Sequence, residues 1–346
     1  MLKIIKSSEE WKEILTNFHH IDVYYTFEYG ALFAEVEQGE LQGAFFEYKD
    51  CRLFYSYIIR EIPDTDSKFY DIVTPYGYGG PYVEGNSKEE CVEQFYEHFS
   101  EYCRENNIVS EIIRFHPLLN NVQYCAASVN TRYIRKTTGL DLSNSYEVIK
   151  TNYSSMSRRN VRKAERQGLY CRVVEKTPEN IHTFMQMYHE TMDRNHASSY
   201  YYFDYDFFKK QLKDSVFHSN ELIFAFSEET VIGAVILMMG RDYSHYHLGC
   251  SSTSYLKLRP NNILFDYMIS RSKDKNLTYL HLGGGYSEDD GLFRFKTSFT
   301  NNEVFDYYLG TNVFNEEKYN DLVHYMKSQY TLDENFFPQY RGVVKY

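Results

Sequence analysis

Three consecutive glycines, Gly283-Gly284-Gly285, end an apolar strand pattern over Leu277–Leu282. An isolated Phe295-Lys296 pair follows in "LFRFKTSF", residues 292–299. Glycine after a strand supplies positive φ or lets another group approach bare backbone, so the run reads as a tight turn or a ligand seat. A second chemical feature is basic. Between Lys150 and Lys176 the chain carries eight basic and two acidic residues, and Arg158, Arg162 and Arg166 recur at helical spacing on one face. Such a stripe suits diphosphates, tRNA or an anionic lipid-linked precursor, or is a solvated charged face. His245 and His247 share one face of a strand, as zinc ligands can, but no cysteine or carboxylate stands at a recognised spacing, so no metal is expected. A nucleophile elbow for Ser-His-Asp chemistry is also missing.

These residues sit in a chain of 346 residues, long enough for about two domains. Its formal charge of −11 argues against a general nucleic-acid or anionic-membrane coat, so any polyanion site must be local. The N-terminal stretch "MLKIIKSSEEWKEIL" turns acidic and amphipathic early, and no run reaches the roughly 18 apolar residues of a membrane span. A cytoplasmic protein is expected, with at most peripheral membrane contact. The six cysteines lie far apart without a C-x-x-C pair, which fits reduced thiols. Thirty-five tyrosines and 25 phenylalanines fit aromatic-rich sheets or a groove for flat or sugar-like ligands, and AT-rich codon usage accounts for them equally well.

Two series of elements must position the chemistry. The first has helices over 8–18 and 25–38, a hairpin turning at Lys49-Asp50, a strand near Tyr70–Val73, the loop "TPYGYGGPYVEG", a helix over 87–105 and the strand "IVSEIIRFHP". The second begins with a helix over 146–167 that stops at Gly168. A strand follows, then a helix capped by Thr177-Pro178 and a helix near Asp204–Val216. Three strands turn at Glu228-Glu229 and Arg241-Asp242; the loop "SSTSYLKLRPNN", a helix over 263–275 and the strand 277–282 complete the series. The repeated order implies a duplicated α+β domain, divided as 1–145 and 146–346, with the final residues packing back on the first domain and a cleft between or beside the two.

Antiparallel strands, a loop opening a helix, and a parallel partner strand resemble the GNAT acyltransferase core, and the tandem form resembles the FemABX peptidyltransferases and their GNAT-like relatives. The resemblance rests on "DIVTPYGYGGP" (71–81), "SEIIRFHPLLNN" (110–121), "SMSRRNVRKAERQG" (155–168), "LKLRPNNILFDYMI" (256–269), "LHLGGG" (280–285), "LFRFKTSF" (292–299) and "FFPQYR" (336–341). The long helical-hairpin arm of some peptidoglycan-bridge enzymes is missing. The fold implied is α+β, two tandem GNAT-like domains with mixed, mostly antiparallel sheets flanked by helices. The activity implied is acyl transfer: an amine attacks a carbonyl activated as an acyl-CoA thioester or an aminoacyl-tRNA ester, without a covalent enzyme intermediate.

On that resemblance Lys296, in the Phe-Lys-x-x-Phe element with Phe295, stabilises the oxyanion, and His281 orients or deprotonates the amine. The glycine run Gly283–Gly285 admits donor or acceptor. Asn261 and Asn262, where GNAT enzymes carry a glycine-rich pyrophosphate loop that this chain lacks, cap a helix and leave amides for phosphate. Arg158 and Arg162 bind phosphates; Arg194, Tyr201 and Tyr202 lie in a stretch where donor or acceptor contacts are expected; Tyr76, Tyr78, Arg114 and His116 line the cleft from the first half. No permanently bound cofactor is expected, only acyl-CoA or aminoacyl-tRNA as co-substrate. Partners are a small-molecule or lipid-linked amine acceptor and tRNA, not DNA. The amine would belong to a cell-envelope, peptidoglycan or surface-polysaccharide precursor. A non-catalytic nucleic-acid or carbohydrate-binding module, or an envelope-synthesis scaffold, stays open as the alternative.

Overall fold

The structure, a computed structural model, describes residues 1–63 and 68–344. The chain begins with β1 (Leu2–Ile5), α1 (Ser8–Thr16), α2 (Phe27–Val36), β2 (Glu40–Tyr48), β3 (Cys51–Glu61), β4 (Tyr70–Val73), β5 (Tyr82–Glu84), α3 (Lys88–Glu105), β6 (Ile108–Arg114), α4 (Val122–Cys125) and β7 (Asn130–Asp141). It continues with α5 (Tyr146–Thr151), α6 (Ser155–Arg166), β8 (Leu169–Val174), α7 (Pro178–Arg194), α8 (Tyr205–Gln211), β9 (Ser219–Ser227), β10 (Thr230–Met239) and β11 (Tyr243–Ser251). The last elements are α9 (Pro260–Asp274), β12 (Tyr279–Gly283), α10 (Gly291–Thr297), β13 (Val304–Val313) and α11 (Glu316–Gln329).

Two compact units form, Met1–Ile134 with Asp306–Tyr346, and Arg135–Phe305. The passages between them lie within β7 and β13, whereas the sequence reading divides the chain after residue 145 and assigns no element between Pro117 and Tyr146. In the first unit the strand order is β1-β2-β3-β4-β6-β13, with β5 beside β3; only β4 and β6 are parallel. In the second it is β8-β9-β10-β11-β12-β7, and only β11 and β12 are parallel. The six-strand orders correspond position for position. Each parallel pair needs a crossover, which α3 and α9 provide. The closing strands are exchanged: β7 follows β6 but pairs with β12, and β13 follows β12 but pairs with β6.

Crossover helices carry the cores. α3 buries Cys91, Val92, Phe95, Phe99 and Cys103 against Tyr55 and Tyr57 of β3. α9 buries Ile263, Leu264, Phe265, Met268 and Ile269, with Val161 and Ala164 of α6 in the same cluster. The expected helix over 146–167 is two helices. Tyr153 is buried, and the Ser154 side chain accepts from the Ser157 amide to start α6 anew. Within the first unit the chain end is tied down by Tyr340, whose hydroxyl bonds Ser110 Oγ at 2.7 Å and donates to Asp71 Oδ2 at 3.1 Å, and by an Arg341–Asp71 ion pair. Arg60 joins Asp71 (2.9 Å) to Glu37 (2.6 Å).

Glu111 of β6 is fully buried and faces Tyr55 and Tyr57 of β3, Tyr96 and Cys103 of α3, Cys125 of α4 and Asn312 of β13. Asn312 donates to its Oε2 at 2.8 Å, while Oε1 makes no hydrogen bond. Burial pushes the Glu111 carboxyl up to about 7, against the smaller opposing pull of Tyr55, Asn312 and Tyr96. The folded value is raised above that of the unfolded chain. Its stabilising contribution is therefore complete below about pH 4 and lost as pH rises through about 7, on the order of 3 kcal/mol in all. In thermal melts from pH 5 to pH 9, the stability of wild type relative to Glu111→Gln should fall up to about pH 7 and stay constant above it; a difference independent of pH would refute a buried neutral carboxyl.

Candidate active site

In the second unit, β11 and β12 are paired only from Tyr243–Tyr279 to His245–His281. Beyond that point β11 continues along β10 to Ser251, while β12 shifts register after His281 and stays with β7 through Gly283, opposite Thr138. The two parallel strands thus lose each other where the glycines begin. α10 fills this place with Lys296. Its ammonium donates to the Gly284 carbonyl oxygen at 2.7 Å and stands 5.0 Å from the ring centroid of Tyr246, the first β11 residue past the pairing. Lys296 is only 5% exposed.

The loop that holds this lysine is pinned at several atoms. Gly283 has φ of +73°, which a glycine adopts freely. Asp290 caps α10 by accepting from the Phe293 amide at 2.7 Å, and its other oxygen accepts from Tyr286 (2.6 Å) and Ser287 (3.1 Å). Burial would raise the Asp290 carboxyl, but these amide bonds outweigh it and hold it below its ordinary value. Arg135 of β7 donates to the carbonyl oxygens of Gly285 (3.0 Å) and Tyr286 (2.8 Å). Burial pulls the Lys296 ammonium down to about 7; Asp290 partly resists and Arg135 adds to the fall. The site therefore holds an amine poised between its charged and neutral forms at physiological pH.

Around it, Phe295 packs edge-on against Phe265 of α9 (5.0 Å) and against Phe299 (5.4 Å). The Ser154 amide donates to the Ser298 carbonyl at 2.8 Å and the Ser157 and Ser298 hydroxyls meet at 2.7 Å, so the start of α6 is fastened to the end of α10. His281 is buried, its Nε2 3.0 Å from Thr137 Oγ1 and its ring beside His245 (5.8 Å) and Phe305 (6.3 Å). Burial, with His245 adding, pushes the His247 imidazole down to about 3.

The entrance to α9 differs from expectation. Asn261 and Asn262 do not cap it: the helix starts at Pro260, so both lie in the first turn, and left-handed Arg259 (φ +64°) holds the cap position without a side-chain bond. Pro260 has no amide hydrogen and the Asn262 amide donates to the Arg259 carbonyl at 3.0 Å, so in this turn the Asn261 amide is the one left for an anion. Arg194 braces the approach, donating to the Ser251 carbonyl (3.0 Å) and Thr253 Oγ1 (2.7 Å), while Glu190 accepts from the Thr253 amide (2.7 Å). Tyr201 stacks edge-on with Tyr200 at 5.3 Å, and exposed Tyr202 donates to Asp193 at 2.7 Å. Arg158 turns back onto the carbonyls of Thr151 and Tyr153, closing the end of α5, whereas Arg162 and Arg166 stay exposed.

The candidates of the first half gather in the first unit. Tyr78 meets Tyr24 (5.3 Å), His116 (5.7 Å) and Tyr307 (5.6 Å), and Tyr76 stacks on Phe33 (5.3 Å). His116 is buried, donating from Nε2 to Asp22 at 2.7 Å while its Nδ1 accepts from the Leu119 amide. Arg114 donates to the Thr74 carbonyl at 2.6 Å and lies 3.8 Å from Glu37. Sequence reasoning missed Arg135, Tyr246 and Asp290. Of these only Asp290, three residues before Phe293 at a helix start, carries a local capping signal.

Residues 152–297 match the acetyltransferase (GNAT) domain model. That match lies wholly within the second unit. It ends at Thr297, just past the lysine. Among solved structures the fold resembles FemX, with a TM-score of 0.69 at 13% identity over 92% of this chain and 99% of that one. It also resembles L-PGS from Bacillus licheniformis (0.57, 14%, 88% and 91%). A tandem GNAT protein from the clavulanic acid biosynthesis pathway is a third (0.50, 8%, 91% and 99%). The chain thus has the FemABX-like tandem GNAT fold. No curated protein sequence matches it. No described helix is long and apolar enough to cross a membrane.

Proposed function

We propose that the protein is a cytoplasmic N-acyltransferase that forms an amide on an amine of a cell-envelope or surface-polysaccharide precursor. The observation that carries this reading is the buried Lys296 ammonium set where β11 and β12 lose their pairing, on the Gly284 carbonyl and over Tyr246. Exposed edges of parted strands accept an extended donor arm through backbone hydrogen bonds. In the reaction, the amine nitrogen attacks the donor carbonyl carbon and the carbonyl oxygen becomes an oxyanion, which the Lys296 cation meets. Collapse of the intermediate forms the amide and breaks the thioester or ester bond; the leaving thiol or tRNA hydroxyl takes up the proton that the amine gives away. Binding between Tyr246 and Gly284 frees the ammonium from its resting contact with the Gly284 carbonyl.

The uncapped first turn of α9, Asn261 and Asn262, receives phosphate of the donor. An acyl-CoA donor is favoured over aminoacyl-tRNA because such a seat matches a diphosphate. Calorimetric titration with acetyl-CoA, longer acyl-CoAs and charged tRNA tests this: an acyl-CoA should bind and shift the melting temperature. Tight binding of charged tRNA with no response to any CoA would reverse the donor, and no response to either would overturn the enzyme reading.

A further inference from the structure

α6 has two unlike faces. Ser157, Val161 and Ala164 are buried in the second unit. At about 100° per residue, Met156, Arg159, Arg162, Lys163 and Arg166 fall on the opposite side, and all five are exposed, Met156 to 61%. None of the four cations has an acidic partner among the described residues. The helix's only acid, Glu165, sits on the flank and pairs with Lys150 at 3.3 Å. Arg158 is withdrawn onto the end of α5. A chain of net charge −11 thus keeps a four-cation face clear of neutralising carboxylates.

We infer that this face of α6 docks on the surface of an anionic lipid bilayer, its cations among the headgroups and Met156 in the interfacial layer. Four basic residues on one helix face match a negative leaflet, whose attraction acts on each within a Debye length. The exposed methionine and the lack of aromatics decide against a single-stranded nucleic acid as the partner. Single strands are gripped by aromatic side chains between the cations, and this face has none. A thioether in water gains nothing from phosphates but gains on entering the headgroup layer. Such docking would present the second unit to an acceptor or donor held at a membrane. It stands without reference to which acyl group is transferred.

Sedimentation with vesicles of phosphatidylcholine, alone and mixed with phosphatidylglycerol, tests the inference on the full chain without any turnover. Binding should appear only with the anionic vesicles and fade with added salt. Replacing Arg159, Arg162, Lys163 and Arg166 together by Gln should weaken it about 100-fold or more, and Met156→Ser several-fold. A variant with Lys6, Lys12, Lys209 and Lys327 changed to Gln removes the same charge elsewhere and should bind like wild type; thermal melts confirm folding of each. Absence of binding to anionic vesicles, or equal loss in both quadruple variants, would overturn the docking face. Retention of poly(U) in place of vesicles, abolished by the α6 changes, would give the face to nucleic acid instead.

Discussion

Lys296→Met is expected to lower kcat by about 10²–10³ while donor affinity changes far less, because the oxyanion that the ammonium meets exists only in the transition state. Methionine keeps much of the bulk beside Tyr246 and removes the charge. The low basicity of Lys296 supplies a second signature. Burial holds it near 7, so the cation is complete below that value and gives way to neutral amine above it. If the cation is the catalytic form, kcat/KM, which reports the free protein's groups, falls as pH rises through about 7. Lys296→Arg, whose guanidinium stays charged, moves that limb to higher pH even where its bulk costs rate. Single-turnover rates across pH for the three proteins decide the matter. A kcat/KM that rises through pH 7 in wild type, with that rise lost in Lys296→Met, would recast the lysine as a proton acceptor; wild-type turnover in Lys296→Met would leave Phe295-Lys296 as packing alone.

Much of this site was legible in the sequence because its parts are local. Glycine after an apolar strand and a lysine framed by aromatics are adjacent in the chain, and the structure joins them through one 2.7 Å hydrogen bond. What closes the site was not legible. Arg135 belongs to β7, whose partner β12 lies well over a hundred residues later, and no local periodicity announces a strand that pairs so far away. The exchange of β7 and β13 between equivalent positions is hidden for the same reason: a repeat of element order fixes the kind of strand, not its partner. Arg158 illustrates a third limit. Helical spacing puts it on the stripe with Arg162 and Arg166, but the carbonyl ends of α5 compete for its guanidinium, and they appear only once Tyr153 is buried and the helix breaks. The asparagines before Ile263 resemble caps because asparagine favours that position, whereas proline at the first helical position moves the start ahead of them.

Of the glycines in the opening motif, Gly285 should tolerate replacement least. A Cβ built there would lie 2.1 Å from Oδ1 of Asp290 and 2.5 Å from its carboxyl carbon, whereas at Gly284 the nearest atom is the Lys136 carbonyl oxygen at 3.0 Å. Flexible side chains usually retreat from such a clash, but this carboxylate is held by the amides of Tyr286, Ser287 and Phe293. Gly285→Ala must therefore either break the cap of α10 or displace the loop, at a cost of about 2–4 kcal/mol from lost capping and overpacking together. Either movement carries Lys296 away from Gly284, so turnover should fall along with the melting temperature. Gly291→Ala is the control: nothing lies within 4 Å of its Cβ, and alanine inside a helix is favourable. Asp290→Ala removes the cap but also the obstacle, so adding Gly285→Ala to it should cost little more. Melts of the two single variants and the double variant then form a cycle. Additive losses in that cycle would mean that Gly285 is required for some reason other than the approach of Asp290.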